Sequence, residues 1–164
     1  MLTFIIRQML ENDITFVQEI ARTSWHHTYE GIIPRDIQDR FLQMAYSSNR
    51  LTQRFTTSLF LVAIVDESLV GFANFSNVTH GEAELLAIYL HPDSQGSGIG
   101  SALLQRGLNM LPSLSSLFVC VEKENTIGMH FYQAKGFEKL VEFDECFDGY
   151  PLKTVKMVKQ HEKG

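Results

Sequence analysis

From Glu82 to Ala102 the chain reads EAELLAIYLHPDSQGSGIGSA, and this stretch constrains the fold more than any other. Leu85 to Leu90 is almost continuously apolar, the pattern of a strand covered on both faces. His91-Pro92 ends it, because proline has no N–H to give to a ladder. After Gln95-Gly96-Ser97-Gly98-Ile99-Gly100, the apolar residues Ile99, Ala102, Leu103, Leu108 and Leu111 fall at helical spacing. The unit is therefore a strand, a glycine-rich loop and a helix. Such a loop turns several backbone N–H groups toward one point, backed by the positive end of a helix dipole. That point suits a phosphate.

Periodicity predicts the elements on either side. Leu2 to Arg7 reads as a strand, and Ile14, Val17, Ile20, Ala21 and Trp25 mark a helix ending before Gly31. Pro34 opens another helix, with Ile37, Phe41, Leu42 and Ala45 on one face. Ser47 to Ser58 is polar, with room for a further helical turn. Leu59 to Val65 and Leu69 to Phe75 form an antiparallel pair, and Leu117 to Val121 a strand parallel to the central one, reached through the loop helix. Asn125 caps a short helix whose apolar face is Ile127, Phe131 and Ala134, and Gly136 ends it. Phe137 to Phe143 and Leu152 to Val158 are the last strands, with a loop from Asp144 to Pro151 and a frayed tail from Lys159 to Gly164.

At 164 residues the expectation is a single domain spanning residues 1–164. The net charge of −5 gives no support to nucleic-acid or anionic-membrane binding. Cys120 and Cys146 form no disulfide framework, and Cys120 lies in an apolar run that reads as core. No apolar run approaches a membrane span and no leader follows Met1, so the expected location is cytoplasmic.

Spacing separates three known phosphate loops. A Walker loop needs a lysine, and none lies here. The dinucleotide fingerprint G-x-G-x-x-G accepts Gly96 and Gly98 but meets Ser101 in third place, although Glu122 stands where a ribose-binding acid would. The pattern Gln/Arg-x-x-Gly-x-Gly/Ala is matched in full by Gln95, Gly98 and Gly100. A second run, Asn125, Phe131, Tyr132, Gly136 and Phe137, matches Asn-…-Phe-Tyr-…-Gly-Phe. Three successive strands also break the alternation of a doubly wound sheet. On these motifs and this element order the chain resembles the GCN5-related N-acetyltransferases, the GNAT family.

The resemblance implies an α/β fold: a mixed, mostly antiparallel sheet of six or seven strands, with splayed central parallel strands and helices on both faces. It implies acetyl-CoA as acetyl donor, with no metal. Gln95, Gly96, Ser97, Gly98, Ile99, Gly100 and Ser101 would hold the pyrophosphate. The backbone of Ile88, Tyr89 and Leu90 would bond the pantetheine arm and the thioester oxygen, the Tyr89 or Leu90 amide being the oxyanion donor. Asn125 would face the cofactor. Tyr132, one residue off the apolar face of its helix, would point toward the coenzyme sulfur.

Glu84 occupies a position where some family members carry a catalytic glutamate. It is either a base acting through water or a solvated carboxylate at the strand's beginning. Trp25, Tyr29 and Glu30 fall in the region that lines the acceptor pocket in the family. Asp144, Glu145, Asp148 and Tyr150 add acidic and aromatic side chains suited to an amine. The expected activity is acetyl transfer to a primary amine by direct attack in a ternary complex. A small amine or polyamine is favoured over a protein N-terminus or lysine. The rival reading is a catalytically inactive acyl-CoA-binding sensor on the same fold. The amine is the expected partner, with no nucleic acid and no membrane, and a homodimer is left open.

Overall fold

A computed structural model describes residues 3–161. Its strands are β1 (Ile5–Gln8), β2 (Leu59–Val65), β3 (Ser68–Phe75), β4 (Glu82–Leu90), β5 (Ser116–Glu122), β6 (Glu138–Phe147) and β7 (Tyr150–Gln160). The helices are α1 (Ile14–Tyr29), α2 (Arg35–Ala45), α3 (Ser48–Thr57), α4 (Ile99–Asn109) and α5 (Thr126–Ala134). The strands form one sheet in the order β1-β2-β3-β4-β5-β7-β6. Among the described residues only β4 and β5 run parallel, as a strand–helix–strand crossover requires.

Two apolar layers flank the sheet. Ile99, Leu103, Leu104 and Leu108 of α4 pack on Leu85, Leu117, Val119 and Met157, with Tyr132 and Phe137 at the edge of that layer. On the other side Val17, Ile20 and Trp25 of α1, Leu42 of α2 and Leu51 of α3 pack on Phe60, Val62 and Phe72. At Gly107 an added Cβ would lie 2.1 Å from the Phe75 ring, so glycine is what lets α4 rest directly on β3. Among the described residues, no helix is long and apolar enough to cross a membrane.

Strand β4 is not uniformly covered as its apolar run suggests. Phe75 pairs with Leu85 and Asn74 with Ala87, leaving Leu86 as a bulge that is 44% exposed. Before the bulge Ala83 and Leu85 face α4; beyond it Ile88 and Leu90 do, while Ala87 and Tyr89 turn to the α1 side. The β4–β5 ladder runs from Glu82–Ser116 to Leu85–Val119 and stops. Past that point the two strands part.

Several sequence expectations need correction. The first strand begins at Ile5, and Leu2 lies outside the described residues. The polar stretch Ser47 to Ser58 is a full helix: Ser47 caps it by accepting the Arg50 N–H, and it buries only Leu51 completely. Arg54 anchors it, with its guanidinium 4.5 Å over the Tyr46 ring and bonds to Asn74 Oδ1 (3.0 Å) and the Ala45 carbonyl (2.8 Å). The loop Asp144 to Pro151 is the end of a β6–β7 hairpin, turning at Asp148 (φ +51°) and Gly149 (φ +80°). That hairpin is tied to the helices by Arg40–Asp148, by Tyr150 Oη donating to the Ile32 carbonyl (2.9 Å), and by Phe147 edge-on to Phe41. The tail is strand as far as Gln160, because Gln160 pairs with Ser116; residues 162–164 lie outside the described residues.

Candidate active site

Where β4 and β5 part, a cleft of about 430 Å³ opens. Ile88, Tyr89 and Leu90 form one wall, Cys120 and Val121 the other, and Gln95, Gly96, Gly98, Gly100 and Ser101 its outer end. Asn125 and Tyr132 of the α5 segment and Tyr29 of α1 close it.

The loop has the form that a diphosphate needs. Gly98 (φ +85°) is the N-cap of α4 and Gly96 stands at φ +76°, conformations that side chains disfavour. A Cβ at either position would meet nothing within 4 Å, so open space lies where side chains would stand. No side chain caps α4 and no acid lies in its first turn, which leaves its leading N–H groups to an anion. These residues fit the diphosphate of coenzyme A. Ser97 does not line the cleft; its hydroxyl donates to the Ser94 carbonyl and braces the loop. The Ile99 side chain is fully buried in the α4 layer, so only its backbone faces the loop.

Tyr132 lies at the inner end, buried, its ring edge-on to Phe131 and Phe137 at 5.5 Å each. Burial, with Tyr29 adding to it, pushes its phenol well above the usual value, so the hydroxyl is a neutral donor. Burial likewise pushes Tyr29 up to about 12, the Asn125 side chain opposing and Glu122 adding. Asn125 accepts the Gly128 N–H at 2.9 Å and so fixes the start of α5. The stripe Ile127, Phe131 and Ala134 lines the cleft, and of the three only Phe131 also packs against the α4 layer as expected; Ile127 is 66% exposed, and Tyr132 is the buried residue of the helix. Cys120 is also no core residue, since it opens onto the cleft.

The other expected residues divide. Tyr29 lines the cleft. Trp25 does not, being buried and stacked on Phe41 at 4.4 Å. Glu30 is exposed, pairs with Arg35 at 3.0 Å, and borders a separate recess. Glu84 stands outside the cleft, on the sheet face toward α1. Burial raises its carboxyl, with Lys156 opposing and Glu145 adding. The register sets its neighbours: Glu84 is opposite Phe118, Cys120 opposite Lys156, and Glu122 opposite Thr154, which donates to Glu145 at 2.9 Å. Glu84, Glu122 and Glu145 thus share a face with Lys156, itself 4.7 Å over the Phe118 ring.

Comparison with known proteins agrees with this geometry. The model of the acetyltransferase (GNAT) family matches residues 16–137. A spermidine N(1)-acetyltransferase of Thermoplasma acidophilum is 30% identical over 142 residues, 81% of this chain and 87% of that protein. The crystal structure of PaiA N-acetyltransferase from Thermoplasma acidophilum in complex with coenzyme A superposes with a TM-score of 0.83 at 28% identity, covering 97% of this chain and 99% of that one. The ribosomal-protein-S18-alanine N-acetyltransferase of Escherichia coli shares the fold at 18% identity, with a TM-score of 0.73 over 96% of this chain and 94% of its own.

Proposed function

This chain belongs to the acetyltransferase (GNAT) family and is an acetyl-CoA-dependent N-acetyltransferase; on that premise we propose that its acceptor is a small amine of more than one positive charge, such as a polyamine, attacking directly within a ternary complex. The observation that carries this reading is the carboxylate face beside the splay, where Glu84, Glu122 and Glu145 stand around Lys156. Such a face attracts a second ammonium of the acceptor while the reacting amine enters the cleft. Similarity to a spermidine acetyltransferase supports the same class.

The bound cosubstrate supplies an acetyl group activated as a thioester. The chain's own residues do the rest. Glu84 receives the proton of the incoming ammonium through water, its raised affinity for protons making it a better acceptor than an exposed carboxylate. The register of β4 on β3 commits the Tyr89 N–H to Phe72 and turns the Leu90 N–H to the cleft side. Of the two expected amides, Leu90 is therefore the one that faces the charge growing on the carbonyl oxygen. As the carbon–sulfur bond breaks, Tyr132 donates a hydrogen bond to the sulfur. An ordinary phenol (~10) and thiol (~8.5) differ by about 1.5 units, so full proton transfer would cost roughly 2 kcal/mol. Burial of Tyr132 raises that cost, so its role is hydrogen-bond donation, and water protonates the departed sulfur.

A free-thiol release assay with acetyl-CoA and a panel of amines tests the reading. Di- and polyamines should exceed a monoamine of equal length by about tenfold or more in kcat/KM, an advantage that shrinks with added salt. Equal rates for monoamines, or preference for a peptide N-terminus, would overturn it.

A further inference from the structure

One wall of the cleft has no part in the chemistry above. Ser24 and Thr28 of α1 stand one helical turn apart and both line the cleft beside Tyr29. Ser24 is 3% exposed and Thr28 half-buried. Within a helix such hydroxyls commonly return to a carbonyl one turn back, as Thr52 does to Ser48 (2.9 Å) and Thr56 to Thr52 (2.7 Å). Among the described residues, Ser24 and Thr28 make no such bond and no other side-chain hydrogen bond. Both hydroxyls therefore open onto the cleft with their donor and acceptor capacity uncommitted, free to pair with what occupies it.

The facing wall has the complementary need. Ile88, Tyr89 and Leu90 lie beyond the last β4–β5 pair, so the backbone edge they turn toward β5 has no ladder partner. The cleft therefore offers strand-like donors and acceptors on one side and two hydroxyls on the other, their carbons about 6 Å apart. Secondary amides suit this arrangement. Their N–H and C=O groups pair with a strand edge, and each carbonyl keeps a second lone pair for a hydroxyl. The arm of coenzyme A is a chain of this kind. Helix α1 packs on β4 and on the turn Pro92–Ser94 that leads into the glycine loop, so this wall runs beside the path from the loop to Tyr132.

We propose that Ser24 and Thr28 grip the amide-bearing arm of coenzyme A from the α1 side, opposite β4. The assignment rests on the cosubstrate and is independent of which amine is acetylated.

Calorimetric titration of the Ser24→Ala/Thr28→Val double variant with coenzyme A and with ADP, which carries a diphosphate but no arm, tests it. Loss of two neutral hydrogen bonds should weaken coenzyme A binding roughly 5- to 100-fold and leave ADP binding unchanged. Thr28→Val alone, at the less buried position, should show the same selectivity at roughly 2- to 10-fold, and Thr28→Ser should restore affinity. A thermal melt accompanies each variant, and the single substitution decides the matter if the double variant does not fold. Unchanged coenzyme A affinity overturns the proposal, as does an equal loss for coenzyme A and ADP. A raised KM for the amine with coenzyme A affinity intact also overturns it, by assigning the hydroxyls to the acceptor. Absence of coenzyme A binding by the unsubstituted protein would instead remove the reading of the cleft itself.

Discussion

Leu85 and Val119 are the last residues to join β4 to β5. Beyond them the strands continue as Ile88–Leu90 and Cys120–Glu122 with a cleft in place of a ladder. The sheet thus surrenders backbone hydrogen bonds at its centre, where they are usually made, and offers those groups to a ligand.

With Tyr132 in the proposed role, acting on charge that develops only as the sulfur departs, Tyr132→Phe should lower kcat by roughly 10- to 1,000-fold with little change in coenzyme A affinity. The ring contacts with Phe131 and Phe137 survive the change, so the thermal melt should stay close to that of the parent. Normal turnover in the folded variant would leave the sulfur to water or to backbone amides.

Gly98→Glu places a carboxylate in the open space at the start of α4 and forces a side chain onto φ +85°. The backbone strain should cost on the order of 1–2 kcal/mol. Coenzyme A affinity, measured by calorimetry, should fall about 100-fold or more through repulsion at the diphosphate. Retained affinity would put the diphosphate elsewhere.

Glu84→Gln bears on pH. Burial raises the native carboxyl above its unfolded value, so the folded chain binds this proton more tightly. Stability from this group is therefore full below the unfolded pKa and is lost as pH rises through the native one. At neutral pH the glutamine variant should melt no lower than the parent. Its rate deficit should be confined to pH values above the raised pKa of Glu84 and below that of the acceptor ammonium. A uniform deficit across pH would make Glu84 a binding residue, and no deficit would reduce it to a strand carboxylate.

What the sequence disclosed depended on how local the cause was. The glycine loop and the Asn125–Tyr132 helix were legible because a left-handed turn, a cap and a helical spacing are written in a few adjacent residues. Periodicity reported that Ile127, Phe131 and Ala134 share a face but could not say what the face meets: all three line the cleft, and Phe131 also reaches the α4 layer. Cys120 misled for the same reason, because a strand bordering a cleft is apolar on both sides. Trp25 has the size of a pocket residue, yet Phe41, arriving from a different helix, covers it. Strand β6 carries acids on both faces because both are solvated, so the alternation that marks a half-buried strand is missing. Ser24 and Thr28 gave no signal at all, since small hydroxyl residues within a helix carry no periodic mark.

Leu86 shows that this chain keeps count as well as composition. With one unpaired residue in β4, the strand is read in two phases: odd-numbered positions face α4 before it and even-numbered ones after. Which face of the sheet receives Ile88 and Leu90, and which receives Tyr89, is therefore set by an integer and not by any side chain's chemistry. Single-residue length changes are ordinarily absorbed in surface loops. Here a comparable position lies in the middle of the sheet, where the spacing of the chain is itself part of the site.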